Sequence, residues 1–112
     1  MKLVVIESPF AGATPELAER NLSYAREAMR DSILRGEAPF ASHLLYTQVL
    51  DDKIPEERAL GIQAGFEWGE MAELVAVYTD LGVSRGMTAG IERAQKIGCS
   101  VEHRTLQGWV RP

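Results

Sequence analysis

Six side chains could do chemistry here, and each follows an apolar run. Glu7 and Ser8 come straight after Leu3-Val4-Val5-Ile6, His43 and Tyr46 follow Ala38-Pro39-Phe40-Ala41, and Asp80 and Ser84 follow Leu74-Val75-Ala76-Val77-Tyr78. Two carboxylates with an imidazole, a phenol and hydroxyls offer acid–base chemistry, or acceptors for the hydroxyls of a sugar. Glu7 and Asp80 are the candidate catalytic groups. Ser84-Arg85-Gly86-Met87 opens a helical pattern, where free backbone N–H groups favour an anion. Several chemistries are disfavoured. His43 has no HxH or HxxxH partner for a metal, so no metal site is expected. The first apolar run is not followed by GxGxxG, there is no GxxxxGK[ST], and no serine sits in GxSxG. No cofactor is expected.

The elements that must position these groups alternate. Residues 2–6 and 73–78 read as continuous apolar strands, the pattern of a sheet covered on both faces. Residues 37–41 form a short strand weakened by Pro39, and 100–105 an alternating strand suited to a sheet edge. Thr14-Pro15 opens the first helix as N-cap and N1, with Leu17, Leu22, Ala25, Met29 and Ile33 as its core stripe and Arg35-Gly36 as its end. Pro55 opens the second, with Glu56 and Glu57 in its first turn, a Leu60/Ala64/Trp68 stripe and a row of Gly61, Gly65 and Gly69 that invites close packing. Ser84 caps the third, which buries Met87, Ile91 and Ala94 and stops at Gly98. The order βαβαβαβ predicts one α/β domain over residues 1–112. It is Rossmann-like or flavodoxin-like, with a parallel sheet of four strands and helices on both faces. Its ligand crevice lies among the loops leaving the strands' carboxyl ends: Glu7 to Gly12, Ser42 to Asp52 and Thr79 to Ser84. Asn21, at the edge of the first helix's stripe, either reaches the first of these loops or caps a nearby backbone group.

Composition bounds the partners. The chain has 112 residues, 46% of them hydrophobic, and a net charge of −4, so no basic field favours nucleic acid or an anionic membrane. Nine arginines against three lysines hint at planar anion recognition, but Arg20, Arg26 and Arg30 fall on a face expected to be solvated. The lone Cys99 forms no internal disulfide, and no apolar run approaches a membrane span. A soluble, cytoplasmic protein is expected. The terminal Gly108-Trp109-Val110-Arg111-Pro112 carries a tryptophan that needs cover, from the body of the protein or from a neighbouring subunit.

Three stretches carry a family resemblance: Ile6-Glu7-Ser8-Pro9-Phe10-Ala11-Gly12, Glu19-Arg20-Asn21-Leu22, and Gly36-Glu37-Ala38-Pro39-Phe40-Ala41-Ser42-His43-Leu44. Together with Asp80-Leu81-Gly82-Val83-Ser84-Arg85-Gly86, Ala94 and Gly98, this set resembles the nucleoside 2-deoxyribosyltransferase-like superfamily. The likeness is to its small bacterial and phage branch, whose members are domains of unknown function. The resemblance spans nearly the whole chain. It implies a site for a nucleotide or nucleoside phosphate, and with the loops and helix start above the candidate ligand-binding residues are Ser8, Pro9, Phe10, Gly12, Asn21, His43, Tyr46, Asp80, Ser84, Arg85, Gly86 and Met87.

Catalytic members of that superfamily carry a nucleophilic glutamate four residues after the helix-opening glycine. The matching position here is Gly90, and the nearest glutamate, Glu92, falls on the solvent side of the helix. Two readings follow. One is a nucleotide-binding protein without transfer chemistry, which sequesters or senses its ligand. The alternative is an N-glycosidic hydrolase or transferase whose carboxylate has moved to Glu7 or Asp80. A small oligomeric interaction module is a third, plainer reading. A homo-oligomer, at least a dimer, is expected, because a domain of this size offers a shallow crevice and relatives complete theirs with a neighbour's residues.

Overall fold

The computed structural model describes residues 1–109; Val110, Arg111 and Pro112 of the expected terminal segment lie outside the described residues. Four parallel strands form one sheet: β1 (Leu3–Glu7), β2 (Ala38–Phe40), β3 (Leu74–Tyr78) and β4 (Ser100–Arg104), in the order β2-β1-β3-β4. The helices are α1 (Pro15–Leu34), α2 (Ser42–Leu45), α3 (Pro55–Gly69) and α4 (Arg85–Lys96), with a 3-10 turn at Tyr46–Gln48. Ser42 to Leu45, expected as part of a loop, is therefore a short helix. All five residues of β3 are buried, as a central strand between two helical layers requires. β2, with Pro39, and the alternating β4 take the two edges.

The pleat sends Val4, Ile6, Leu74, Ala76 and Tyr78 into one core with Tyr24 and Ala28 of α1. The opposite face packs Val75 and Val77 against Met87 and Ala94 of α4. Val4 registers with Leu74 and Glu7 with Val77. The chain leaves β1 toward β2 on one side and returns as β3 on the other. The sheet's switch point therefore lies between the carboxyl ends of β1 and β3.

The caps form as their residue types dictate. Thr14 Oγ1 accepts from the Leu17 N–H at 3.2 Å, and Ser84 Oγ from the Met87 N–H at 3.3 Å. Gly82 takes the turn after β3 at φ +87°, a conformation that a β-carbon disfavours.

Two helical stripes differ from expectation. α1 buries Asn21, Tyr24, Ala25, Ala28 and Ser32, whereas Ile33 is 51% exposed. The inward face is chosen by hydrogen-bond partners that apolar periodicity does not register: Tyr24, Asn21 and Ser32 all bond to groups outside the helix. α3 turns its glycines inward and its Leu60/Trp68 stripe outward, with Trp68 62% exposed. A β-carbon at Gly65 would lie 2.8 Å from Ser42 Cβ, so bare backbone is what lets α3 rest on α2. The row of glycines is used inside the chain. Trp109 is covered by the body of the protein: its ring stands edge-on to Tyr24, with centroids 4.9 Å apart.

Candidate functional site

The last side chain of β1 alternates onto the α4 face, so Glu7 leaves the strand pointing at that helix. α4 has no side chain at the point it meets. A β-carbon at position 90 would lie within 2.9 Å of all three atoms of the Glu7 carboxyl group, so the carboxyl fills the place where a side chain of α4 would begin. Among the described residues no hydrogen bond or ion pair reaches that carboxyl. Burial alone raises its pKa to about 8.

Ser8 follows, 5% exposed, and shares a 2.7 Å hydrogen bond with Nε2 of His43. This bond ties the end of β1 to α2. Desolvation lowers the His43 pKa to about 4, so the ring is neutral at physiological pH. Phe10 stands edge-on to His43, ring centroids 6.4 Å apart.

Glu7, Ser8, Phe10, His43 and Tyr46 line a cavity of about 410 Å³ at the switch point. The glycine face of α3 (Gly61, Gly65, Gly69) forms another wall, and the cap Ser84 with Arg85, Gly86, Met87 and Gly90 of α4 a third. Its size lies in the range of small-molecule sites. Apolar surface comes from Val5, Phe40, Phe66 and Val75, and charge from Arg58, Arg85, Arg93, Asp52 and Glu57. Arg58 is paired to Asp52 at 2.8 Å and Arg93 to Glu70 at 2.7 Å. Among the described residues no three His, Cys, Asp or Glu side chains gather closely enough to hold a metal ion. No helix among them is long and apolar enough to cross a membrane.

Four candidate residues lie outside the cavity wall, each for a visible reason. Asp80, expected beside Glu7, is turned away: its Oδ2 accepts from the Tyr24 hydroxyl at 2.5 Å and from the Leu106 N–H at 2.8 Å. It is a joint between β3, α1 and the segment at Leu106, outside the cavity wall. Asn21 is 2% exposed, and its Nδ2 donates to the carbonyls of Phe10 and Ala11 at 3.3 and 3.1 Å. It holds the loop after β1 and does not line the cavity. Gly12 packs on the start of α1, where a β-carbon would overlap the backbone of Leu17 and Ala18. Pro9, within the same loop, is buried and does not line the cavity.

The sequence reading missed how Gly90 and Glu7 meet, and it missed Gly65 and Phe66 as wall residues. A glutamate closing one central strand and a glycine on the inward face of a helix are visible signals. Their contact is long-range and belongs to the fold.

The buried ion pair at the sheet's far edge was also unforeseen. Arg104, 6% exposed, donates from Nη1 and Nη2 to the two Glu37 carboxylate oxygens at 2.7 Å each and from Nη2 to Glu102 at 2.7 Å. The Tyr78 hydroxyl donates to Asp31 at 2.7 Å in the same cluster. This network is remote from the cavity and fastens β4 to the start of β2.

The fold is similar to that of a 2-deoxyribosyltransferase from the psychrotolerant bacterium Bacillus psychrosaccharolyticus. The TM-score is 0.58 at 17% identity, over 98% of this chain and 77% of that one. That protein is described as a biocatalyst for the synthesis of antiviral and antitumoral nucleosides. No curated protein matches the chain. Residues 2–104, from β1 through the end of β4, match one family model, and the chain belongs to that family, described as Domain of unknown function (DUF7768).

Proposed function

We propose that the protein binds a nucleoside or nucleoside monophosphate in the cavity between the carboxyl ends of β1 and β3. The observation that carries this reading is the cavity's wall: aromatic Phe10 and Tyr46 with neutral His43 on one side, and the first turn of α4 on the other. A nucleobase needs flat apolar surface with a few polar atoms, and a phosphate needs N–H groups and a cation. Ser84 to Met87 provide the helix start, and exposed Arg85 provides the guanidinium. The sugar then lies toward Glu7. The fold's likeness to a deoxyribosyltransferase, together with the motifs of the opening loop and the α4 start, supports a distant relationship to that superfamily.

Self-association belongs to the same reading, supported by Leu60, Trp68 and Met71, which stand 59%, 62% and 68% exposed along one side of α3 and just beyond it. A cytoplasmic setting is supported by the free thiol of Cys99.

Calorimetry with a panel of nucleosides and their 5′-monophosphates tests the proposal. Ser84→Ala with Arg85→Ala is expected to weaken a monophosphate about tenfold or more while leaving the matching nucleoside within about twofold. Equal losses for both would move the phosphate elsewhere. No binding by any member of the panel would refute the reading.

A further inference from the structure

We propose that the ligand is a phosphate-bridged dinucleotide, whose second nucleoside lies in the inner half of the cavity, between α3 and α4 and beyond Glu7. The inference rests on the binding reading above and names its ligand class.

The cavity's extent carries the inference. α4 lines it from Arg85 to Ile97, about 18 Å of helix, and α3 from Arg58 to Gly69, about 16 Å. Both helices run from the carboxyl ends of the strands back toward the amino ends, as crossovers in a parallel sheet do. The cavity therefore reaches inward past Glu7 and Gly90. Its floor there is Val5, whose Cγ2 would lie 3.8 Å from a β-carbon at Gly69, and Val75, which packs with Ala94.

The inner half has a ring site of its own. The Arg93 guanidinium lies over the Phe66 ring, 5.3 Å from its centroid, and Nη2 donates to Glu70 Oε1 at 2.7 Å. These two contacts fix a plane in the wall, and a fixed guanidinium stacks on a base or donates to its acceptors. Nε and Nη1 find no acceptor among the described residues, so the fork is not used up within the chain. Phe10, Tyr46 and His43 make the other ring site, at the strands' carboxyl ends. Between the two sites, Ser84 to Met87 suit a phosphate, the next turn of α4 meets Glu7 at Gly90, and the turn after carries Arg93. Successive turns stand about 5.4 Å apart, the scale on which phosphate, sugar and base follow one another in a nucleotide. A phosphate at the α4 start thus joins one nucleoside lying toward Phe10 and Tyr46 to a second lying inward toward Arg93.

The glycines of the wall agree. Ser42 demands Gly65 and Glu7 demands Gly90, but two others have no such neighbour. A β-carbon at Gly69 would meet only Val5, at 3.8 Å, and one at Gly86 only Ser84 Oγ, at 4.0 Å. Neither has a positive φ. Alanine is the better helix former at both. Packing within the chain does not account for these two glycines, whereas a ligand lying against bare backbone does.

Calorimetry on the full chain compares four ligands for each of adenine, guanine, cytosine and uracil. They are the nucleoside 5′-monophosphate, the 5′-diphosphate, a dinucleotide bridged 5′ to 5′ by diphosphate, and one bridged 3′ to 5′ by a single phosphate. At least one dinucleotide is expected to bind about tenfold more tightly than its monophosphate, or tighter still, which is the scale of one stacked base. The 5′-diphosphate is expected not to reproduce that gain. The linkage that binds more tightly names the source of the ligand. Gly69→Leu fills the inner half from α3, and Arg93→Gln removes the guanidinium from α4. Each is expected to cut the dinucleotide's advantage to about twofold or less. Melting curves show which variants fold, and Arg93→Gln, which adds no volume, decides if Gly69→Leu does not. Monophosphate binding with no dinucleotide advantage overturns the inference and leaves the binding reading intact. A 5′-diphosphate that matches the dinucleotide does the same. Absence of binding by every ligand overturns both. An advantage retained in folded Gly69→Leu or Arg93→Gln protein overturns the placement of the second nucleoside.

Discussion

Tyr24 and Asp80 hold each other by two hydrogen bonds. The phenol donates to Asp80 Oδ2 at 2.5 Å, and its oxygen accepts from the Asp80 N–H at 2.9 Å. The same carboxylate oxygen accepts from the Leu106 N–H, which brings the chain end over Tyr24, where Trp109 packs. One buried phenol therefore joins α1, the turn after β3 and the last described residues. This occupation is why Asp80, though it follows a central strand, does not reach the cavity.

Tyr24→Phe removes both bonds and leaves the ring in place. Urea denaturation is expected to show a loss of about 1–2 kcal/mol, the scale of hydrogen bonds to a charged group that is partly exposed. Asp80→Asn is expected to lower stability as well, yet to leave affinity for the proposed ligand within about twofold, because its side chain lies outside the cavity wall. A large affinity loss in a folded Asp80→Asn protein would return that carboxylate to the site.

The Arg104–Glu37 pair should control stability in acid. The Arg104 guanidinium holds the Glu37 carboxyl below its ordinary value of 4.5. Its stabilisation is thus fully present above that value and is lost as pH falls through the lowered one. Glu37→Gln is expected to be destabilised at pH 7, with the gap to the parent closing in acid. Arg104→Met, which leaves the half-buried Glu37 carboxylate without its main partner, should cost about 1–3 kcal/mol at neutral pH. A gap that stays constant from neutral to strongly acid pH would contradict the pairing.

Glu7 should act in the opposite direction. Its folded pKa, about 8, stands above the ordinary 4.5, so the folded state binds the extra proton between those values. The penalty for burying the group is absent below pH 4.5, grows as pH rises, and is complete above pH 8. Relative to the parent, Glu7→Gln is expected to gain stability across that window, by at most about 1.4 kcal/mol per pH unit. Parallel stability curves for the two proteins between pH 5 and 8 would show that Glu7 is solvated and ionised.

Two glycines on one helix should respond in opposite senses. Gly65→Ala places a β-carbon 2.8 Å from Ser42 Cβ and 2.9 Å from its hydroxyl oxygen, so α3 must shift. A loss of about 1–3 kcal/mol is expected. Gly61→Ala meets only Leu50 Cδ1 at 3.5 Å and Tyr46 Cβ at 3.7 Å, both ordinary contacts. It should gain up to about 1 kcal/mol from helix propensity. Thermal melts of both variants check the pair, and a stable Gly65→Ala would mean that α3 does not rest on Ser42.

By itself the sequence determined what local chemistry decides. Four strands and the three long helices stand within one or two residues of where apolar runs, Thr14, Pro15, Pro55, Ser84 and Gly98 place them. Period and capping depend on residues near in sequence. The parallel sheet followed from their alternation, and the crevice from the rule that loops meet at the strands' carboxyl ends. Only the tertiary structure decided which polar groups face that crevice. Asp80 and Asn21 carry the same chemical potential as Glu7 and Ser8, but Tyr24 and the carbonyls of Phe10 and Ala11 claim them first. Which face α3 turns inward was likewise open: hydrophobicity favours Leu60 and Trp68, whereas the close approach of Ser42 requires Gly65. The contact of Glu7 with Gly90 depends on the pairing of β1 with β3 and on α4 lying across it. No local pattern contains either, because long-range packing alone decides which side chain fills the space a glycine leaves.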